Sequence, residues 1–281
     1  MRDQRPKLLR KLEARVRSRL GLPSPWMSTS LLGRELVVRW GTIRPETDYD
    51  DAWLYACLRH AEVVFDVGAN VGGSALLGLL CSNIKQMVLI EANAEALSVA
   101  AQNLIRNQLS SRARFVGAFA DETSDRTVDF WTIGTGAAGS MFQGAAVTAA
   151  RAGSSQRVPT TSLDELAERF AVAPDFVKID VEGAEGNVLR GARAVARGGK
   201  TRFLVEMHSP PELPMVANAQ QVLAWCNEVG YAAWYLSKGV KLESPDLIAH
   251  RGRCHLLLQP AAWAYPEWLR GIEQSTPLPG S

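Results

Sequence analysis

The fold is decided by the stretch Asp66-Val-Gly-Ala-Asn-Val-Gly-Gly-Ser74, which follows the apolar run Val63–Phe65 and leads into a helical pattern over Ser74–Leu80. A glycine-rich turn between a buried strand and a helix is typical of a ligand site at the carboxyl edge of a parallel sheet, beside a helix N-terminus. Glycines in such turns also serve backbone geometry alone. The spacing within the turn must therefore indicate which ligand is bound.

That spacing argues against a dinucleotide. A dinucleotide fingerprint requires glycine at positions 68, 70 and 73, and its middle glycine lets the backbone approach a pyrophosphate. Position 70 is Asn in this chain, and its side chain would crowd a pyrophosphate. S-adenosylmethionine has no phosphate and carries a positive sulfonium, so we expect it to be the cofactor.

Acidic residues follow neighbouring predicted strands and would face the same ligand. Glu91 ends the strand after the turn and can accept hydrogen bonds from both hydroxyls of a ribose. Asp121 follows the third strand, where its carboxylate can accept from an adenine amino group. Carboxylates also suit a cationic cofactor. The residues predicted to bind the cofactor are Asp66, Gly68, Asn70, Gly72, Glu91, Ala120, Asp121 and Asp180.

From Val63 onward, apolar runs alternate with helical patterns, which predicts an α/β fold. We expect a mainly parallel seven-stranded sheet with an antiparallel last strand and helices on both faces. This domain is predicted over residues 46–262, between a basic N-terminal helix and linker (1–45) and a tail (263–281) that frays after Trp268. Gly134–Ser155, rich in Gly, Ala and Ser, is predicted to be a loop near the site.

One segment resembles a known family. Phe176-Val-Lys-Ile-Asp-Val-Glu-Gly-Ala-Glu185 is similar to the K-I-D-V-E-G-A-E signature of the FkbM methyltransferases. Four other segments resemble family motifs in order and spacing: Asp66–Gly72, Glu91 with Asn103 and Asn107, Val158–Asp164, and Leu204–His208. Two positions depart from the family pattern, namely Ala92, where proline is usual, and Ala138, where serine is common.

The resemblance implies a Rossmann-like class I methyltransferase that uses S-adenosylmethionine. It also implies O-methyl transfer to a hydroxyl of a sugar, glycolipid or polyketide-like metabolite, and therefore a small-molecule or glycan-like acceptor as partner. Two alternatives stay open from the residues. A nicotinamide-dependent oxidoreductase conflicts with Asn70 and lacks a Tyr-x-x-x-Lys pair, and a non-catalytic cofactor-binding scaffold would leave Asp66, Glu91 and Asp180 unexplained.

The acceptor chemistry is predicted at two strand ends. Methyl transfer to a hydroxyl needs alignment and removal of a proton, by a base or by a metal that acidifies the hydroxyl. The predicted catalytic residues are His208, Asp180 and Glu182, with a metal-free His208 base favoured over a divalent metal held by Asp180, Glu206 and His208.

Other side chains near these strand ends have simpler interpretations. Glu185 is expected to cap a helix, and Lys178 to lie along the sheet with its ammonium group outward. Four aromatic residues form either core or a platform for a sugar ring, with core favoured: Trp225, Trp234, Tyr231 and Tyr235.

Composition excludes several functional classes. The 281-residue chain has a formal net charge of +2, too small to predict nucleic acid as a partner. Residues 1–20 form a predicted basic amphipathic helix that packs on its own domain or a sister subunit, or rests on an anionic membrane surface. No apolar run predicts a membrane span or signal peptide, so we expect a cytoplasmic protein. The four scattered cysteines are expected to be buried free thiols.

Overall fold

The structure, a computed structural model, describes residues 24–43, 50–135 and 139–280. The strands are β1 (Trp26–Leu31), β2 (Arg34–Arg39), β3 (Val63–Val67), β4 (Gln86–Glu91), β5 (Ala113–Gly117), β6 (Phe119–Ala120), β7 (Thr127–Trp131), β8 (Ser155–Thr161), β9 (Phe176–Ile179), β10 (Arg202–His208), β11 (Tyr231–Tyr235), β12 (Val240–Lys241) and β13 (Arg253–Pro260). The helices are α1 (Asp51–Leu58), α2 (Gly73–Leu79), α3 (Ala94–Arg106), α4 (Val147–Arg151), α5 (Leu163–Phe170), α6 (Glu185–Arg190), α7 (Arg193–Arg197) and α8 (Met215–Val229).

The central sheet has the strand order β12-β11-β13-β10-β9-β3-β4-β5. Strands β10, β9, β3, β4 and β5 pair in parallel, and the last strand, β13, runs antiparallel to both neighbours, as the sequence predicts. The eighth strand is the two-residue β12 at the edge, which is too short to leave a sequence signal. The predicted strand at 128–132 forms as β7 but belongs to a separate small sheet with β6 and β8.

Two apolar clusters lie on opposite faces of the sheet. Successive side chains of a strand point to opposite faces, and β4 follows this rule. Val88 and Ile90 pack in one cluster, whereas Met87 and Leu89 pack in the other. A strand buried on both faces is mainly apolar, which explains the apolar runs of the central strands, with Asp66 in β3 and Lys178 in β9 as buried exceptions. The polar ends of these strands are left at one edge of the sheet.

The β1–β2 hairpin is attached to the domain by two asparagines of α3 and its C-terminal end. Asn103 Oδ1 accepts from the backbone N–H of Arg39 at 2.8 Å, and Asn107 Oδ1 accepts from that of Val37 at 2.9 Å. The amide of Asn103 also donates to the carbonyl of Val71, in the glycine-rich turn, at 3.0 Å. These asparagines therefore couple the hairpin to the turn predicted to bind the cofactor.

The C-terminal stretch packs on the domain, so the prediction that it frays was wrong. Leu269 and Leu278 are buried in the cluster that contains α1. The indole of Trp53 donates to the carbonyl of Ile272 at 2.9 Å. The composition of this stretch predicts a frayed tail, but the buried leucines and the long-range hydrogen bond hold it against the domain.

The remaining predictions on organisation have mixed outcomes. All four cysteines are free and buried, as expected. Within the described ranges, every helix is too short or too polar to cross a bilayer. The predicted basic helix over residues 1–20 lies outside the described residues. The described part of the Gly134–Ser155 loop contains the short helix α4.

Candidate functional site

A cavity of about 740 Å³ opens at the carboxyl edge of the central parallel strands. Among the described residues that line it, six are acidic and two are basic: Asp50, Asp51, Glu91, Asp180, Glu182 and Glu206 against Lys178 and Arg253. Its apolar lining includes Leu54, Leu77, Ile90, Ala96, Phe119 and Phe130. The size suits a small ligand, and the excess of acidic groups favours one that carries positive charge.

The glycine-rich turn lies against the end of β9. Gly68 has a φ of +75°, and a Cβ placed on it would lie 1.8 Å from the backbone oxygen of Asp180. Gly72 has a φ of +86° and packs against Ala100 of α3. These glycines are therefore required by the fold, in addition to any close approach of a ligand.

Glu91 holds the turn as well as lining the cavity. One oxygen accepts from the backbone N–H of Asn70 and the other from that of Asn93, each at 2.8 Å. Burial raises the pKa of Glu91, although these two hydrogen bonds oppose the rise. Asn70 itself has a φ of +47°, in a region that asparagine tolerates better than most residues. Glu91 thus presents a carboxylate to the cavity from a fixed backbone frame.

Lys178 points towards the site, so the prediction of an outward ammonium was wrong. Its Nζ donates to the carbonyl of Gly68 at 3.0 Å and lies 3.3 Å from Asp180 Oδ2 and 3.6 Å from Asp66 Oδ1. Burial alone would lower the pKa of Lys178, but Asp180 and Asp66 outweigh it and raise the pKa. Asp66 is fully buried and accepts from the Ser74 hydroxyl at 2.6 Å. Lys178 is therefore a positive charge in the lining of the cavity.

The two residues that the sequence places near the adenine, Ala120 and Asp121, have different surroundings in the structure. Ala120 lines the cavity. Asp121, although buried, receives a hydrogen bond from Arg126 Nη2 at 2.9 Å and one from the backbone N–H of Glu122 at 2.8 Å. The carboxylate is thus already engaged on the side of the β6–β8 sheet. Its role as an adenine acceptor stays a prediction.

The structure brings Asp180, Glu182 and His208 together. His208 Nε2 lies 3.9 Å from Asp180 Oδ1, 3.6 Å from Glu182 Oε2 and 3.6 Å from Glu206 Oε1. Asp180 and Glu182 line the cavity, whereas His208 is not one of its lining residues. We call Asp180, Glu182 and His208 the acceptor cluster. Burial raises the pKa of Glu182, against the effect of His208.

Glu185 does more than the helix capping that the sequence predicts. It is fully buried at the start of α6, and its Oε1 accepts from the backbone N–H of Gly183 and lies 2.9 Å from His208 Nδ1. Its Oε2 accepts from the Asn218 amide at 2.8 Å. Burial alone would lower the pKa of His208, but Glu185, Glu182 and Asp180 outweigh it and raise the pKa to about 10. Sequence reasoning missed this function because nothing local pairs Glu185 with His208.

A second group of charged residues adjoins the acceptor cluster. His255 Nε2 lies 3.5 Å from Asp50 Oδ2 and 3.5 Å from Glu206 Oε2. Arg253 Nη1 lies 2.9 Å from Glu206 Oε1. Asp50 and His255 are 205 positions apart, so only the fold unites them. In the structure, His255 lies in β13 directly opposite Glu206 of β10, a placement that no local sequence pattern predicts.

The aromatic residues considered as an acceptor platform form core instead. Trp225 and Tyr231 make edge contacts with each other and with Phe203. Tyr235 is buried in the same cluster, and Trp234 packs against Tyr265. The favoured interpretation of these residues, packing, agrees with these contacts.

The methyltransferase FkbM domain model matches residues 66–232, more than half of the chain. The chain belongs to the FkbM methyltransferase family. The signature that resembles this family supplies Asp180, Glu182 and Glu185, which surround His208 in the structure. Ala92, at the position where proline is usual, lines the cavity.

Solved structures similar to this FkbM family member are distant in sequence. Methyltransferase FkbM from Methylobacillus flagellatus KT is 19% identical, with a TM-score of 0.43 over 78% of this chain and 46% of that one. A SAM-dependent methyltransferase from Agrobacterium tumefaciens is 13% identical (TM-score 0.47; 84% and 69%). An O-methyltransferase from Bacillus cereus, in complex with SAH, is 13% identical (TM-score 0.44; 91% and 91%). The chain thus spans about half the length of the Methylobacillus protein, and no curated protein matches it.

Proposed function

We propose that this FkbM family member transfers a methyl group from S-adenosylmethionine to a hydroxyl of a sugar, glycolipid or polyketide-like acceptor. One observation carries the proposal: a single cavity is lined both by Glu91, in its backbone frame, and by Asp180 and Glu182 of the acceptor cluster. A cofactor and an acceptor must meet in one space for transfer between them. Family membership supports the reaction class.

The residues of the cavity fit S-adenosylmethionine. Glu91 offers a carboxylate for the ribose hydroxyls, and Ile90, Ala96 and Phe119 supply an apolar wall for the adenine. The acidic excess suits the positive charge of the cofactor. Asn70 would crowd a pyrophosphate and does not hinder this ligand. When bound, S-adenosylmethionine supplies a methyl group that its sulfonium makes electrophilic.

The acceptor cluster is proposed to position the hydroxyl and take its proton. Glu182 accepts the hydrogen bond of the hydroxyl, and its raised pKa makes its carboxylate a better proton acceptor than an ordinary one. His208, held by Glu185, assists this proton transfer, since its Nε2 lies 3.6 Å from Glu182 Oε2. Asp180 orients the pair from the end of β9. The predicted role of His208 as a base thus becomes an assisting one in this proposal.

Calorimetry with S-adenosylmethionine and with NAD tests the cofactor half of the proposal. Binding of S-adenosylmethionine alone is expected, and binding of NAD alone would favour the oxidoreductase alternative. Transfer of labelled methyl to fractionated sugars, glycolipids and polyketide-type metabolites then tests the acceptor half. Cofactor binding without transfer to any hydroxylated fraction would favour the scaffold alternative.

A further inference from the structure

We propose that the acceptor cluster, Asp180, Glu182 and His208, binds one divalent first-row metal ion of the Mn²⁺ class. The three side chains offer one ligand atom each, and all three atoms lie within 4.8 Å of one another. His208 Nε2 is 3.6 Å from Glu182 Oε2 and 3.9 Å from Asp180 Oδ1, beyond hydrogen-bond distance. Two donors bonded to one ion at about 2.1 Å can lie up to about 4.2 Å apart, so these separations leave room for an ion between them.

The partner of the other ring nitrogen supports this assignment. Histidines that bind metals generally donate their second N–H to a carboxylate or carbonyl, which fixes the tautomer. Glu185 Oε1 lies 2.9 Å from His208 Nδ1, and Glu185 is itself held by Asn218 at 2.8 Å. With Nδ1–H donated to Glu185, Nε2 faces Asp180 and Glu182, and its lone pair becomes a ligand when the ion displaces the Nε2 proton. A buried carboxylate and a buried amide thus aim a single nitrogen at two cavity carboxylates.

The backbone also places Glu182 in advance. Its φ is +52°, a left-handed conformation that costs energy for a residue with a side chain. The hydroxyl of Ser140, which is fully buried, donates to the carbonyl of Glu182 at 2.9 Å, and the next N–H, from Gly183, donates to Glu185 at 2.9 Å. Strain kept at a site by such contacts is a mark of pre-organisation.

Charge distinguishes Glu182 of the acceptor cluster from Glu206 of the neighbouring group that contains Asp50 and His255, whereas Asp180 of the acceptor cluster has Lys178 Nζ 3.3 Å from its Oδ2. Glu206, which belongs to that group, has the guanidinium of Arg253 2.9 Å from Oε1. An ion bound through Glu206 would be repelled by this charge. Among the described residues, Glu182 forms an ion pair with His208 and with no arginine or lysine. The mixed nitrogen and carboxylate donors suit Mn²⁺ and similar ions better than Ca²⁺, which takes oxygen ligands.

The role of the ion in catalysis rests on the proposed function, whereas its binding does not. Three protein ligands leave coordination positions open, and Asp180 and Glu182 border the cavity. An acceptor hydroxyl on an open position would release its proton to water more readily, because a bound cation lowers the pKa of an oxygen ligand. This inference replaces the metal-free base that the sequence favours, and it makes Glu182 a ligand of the ion instead of the proton acceptor described under the proposed function.

The test is titration of the chelator-stripped full chain with Mn²⁺, followed by calorimetry and by loss of the free-ion electron paramagnetic resonance signal. No cofactor or acceptor is present, so failure here leaves the proposed function untouched. S-adenosylmethionine binding by the same stripped sample tests that function separately. The variants are His208→Gln and Glu182→Gln, with Glu185→Gln as the orienting residue. His255→Gln and the exposed His250→Gln are the matched controls, and circular dichroism checks that each variant is folded.

We expect one Mn²⁺ per chain. His208→Gln and Glu182→Gln should abolish this binding, Glu185→Gln should weaken it about 10–100-fold, and both controls should leave it unchanged. With Co²⁺ as a substitute ion, the wild type should show visible absorption that His208→Gln loses. Absence of binding at millimolar Mn²⁺ by the folded chain would overturn the proposal. Binding that survives His208→Gln but disappears in His255→Gln would also overturn it, because the ion would then lie beside Asp50.

Discussion

The turn proposed to bind the cofactor, Asp66 to Ser74, and the acceptor cluster occupy the same sheet edge but are built in different ways. Each contains a non-glycine residue with positive φ, Asn70 at +47° and Glu182 at +52°. The turn is fixed by its own backbone, since Glu91 accepts two main-chain N–H groups and Gly68 fits against β9. The acceptor cluster is fixed by side chains, with Glu185 at the centre of a buried network.

This difference indicates which changes each region tolerates. A turn that is fixed by its backbone should be displaced as a unit when an added side chain clashes with it. In a side-chain network, each substitution should remove only the hydrogen bonds of the replaced residue. The loss of stability then comes from the buried groups that are left without a partner. The turn should therefore respond mainly in stability and cofactor affinity, and the acceptor cluster in turnover.

The largest effect is expected from Gly68→Ala. The new Cβ would lie 1.8 Å from the Asp180 carbonyl oxygen, so β9 or the turn must move. Gly230→Ala is a matched control, because Gly230 also has a φ of +75° but a Cβ added there would meet nothing within 4 Å. The control should cost about 1 kcal/mol of unfolding free energy for the φ alone, and Gly68→Ala at least about 4 kcal/mol. Equal costs in chemical denaturation would show that the close approach to Asp180 does not hold.

Glu185→Ala should have the next largest effect. It leaves the His208 ring and the Asn218 amide without their buried acceptor, which should cost about 3 kcal/mol of unfolding free energy. Turnover should fall while the affinity for S-adenosylmethionine stays unchanged. Glu185→Gln should recover part of the stability because its amide oxygen still accepts. The exposed Glu168→Ala is the control, and a parallel loss of cofactor affinity would contradict the separation of the two regions.

Glu91→Ala should weaken the binding of S-adenosylmethionine by about 1–3 kcal/mol, because two ribose hydroxyls lose a charged acceptor. The N–H groups of Asn70 and Asn93 lose theirs as well, so the melting temperature should also fall. Calorimetry on the folded variant measures the first effect and thermal unfolding the second. Unchanged affinity beside a lower melting temperature would mean that Glu91 only supports the turn and that the ribose is held elsewhere.

The sequence predicts the first region far better than the second. The strand, turn and acidic residue of the proposed cofactor site lie within residues 63–91, where the sequence spacing determines the geometry. The acceptor cluster depends on side-chain directions set by packing. Local patterns predict that the Lys178 ammonium points outward and that Glu185 caps a helix. They cannot show that Lys178 faces the sheet edge or that Asn218, 33 positions further on, contacts Glu185. The contact between His255 and Asp50, which are 205 positions apart, cannot be predicted from any local sequence pattern.

The smallest effect is expected from Asp121→Asn. The sequence places this carboxylate at the adenine, whereas in the structure it is engaged by Arg126 and by the Glu122 N–H. The asparagine oxygen can still accept from either donor, so the affinity for S-adenosylmethionine should change by less than about 0.5 kcal/mol. Arg126→Ala should act equally weakly, because the arginine side of the pair is exposed. A tenfold loss of affinity in Asp121→Asn, without one in Arg126→Ala, would return Asp121 to the adenine. It would also extend the cofactor region from β4 to the end of β6.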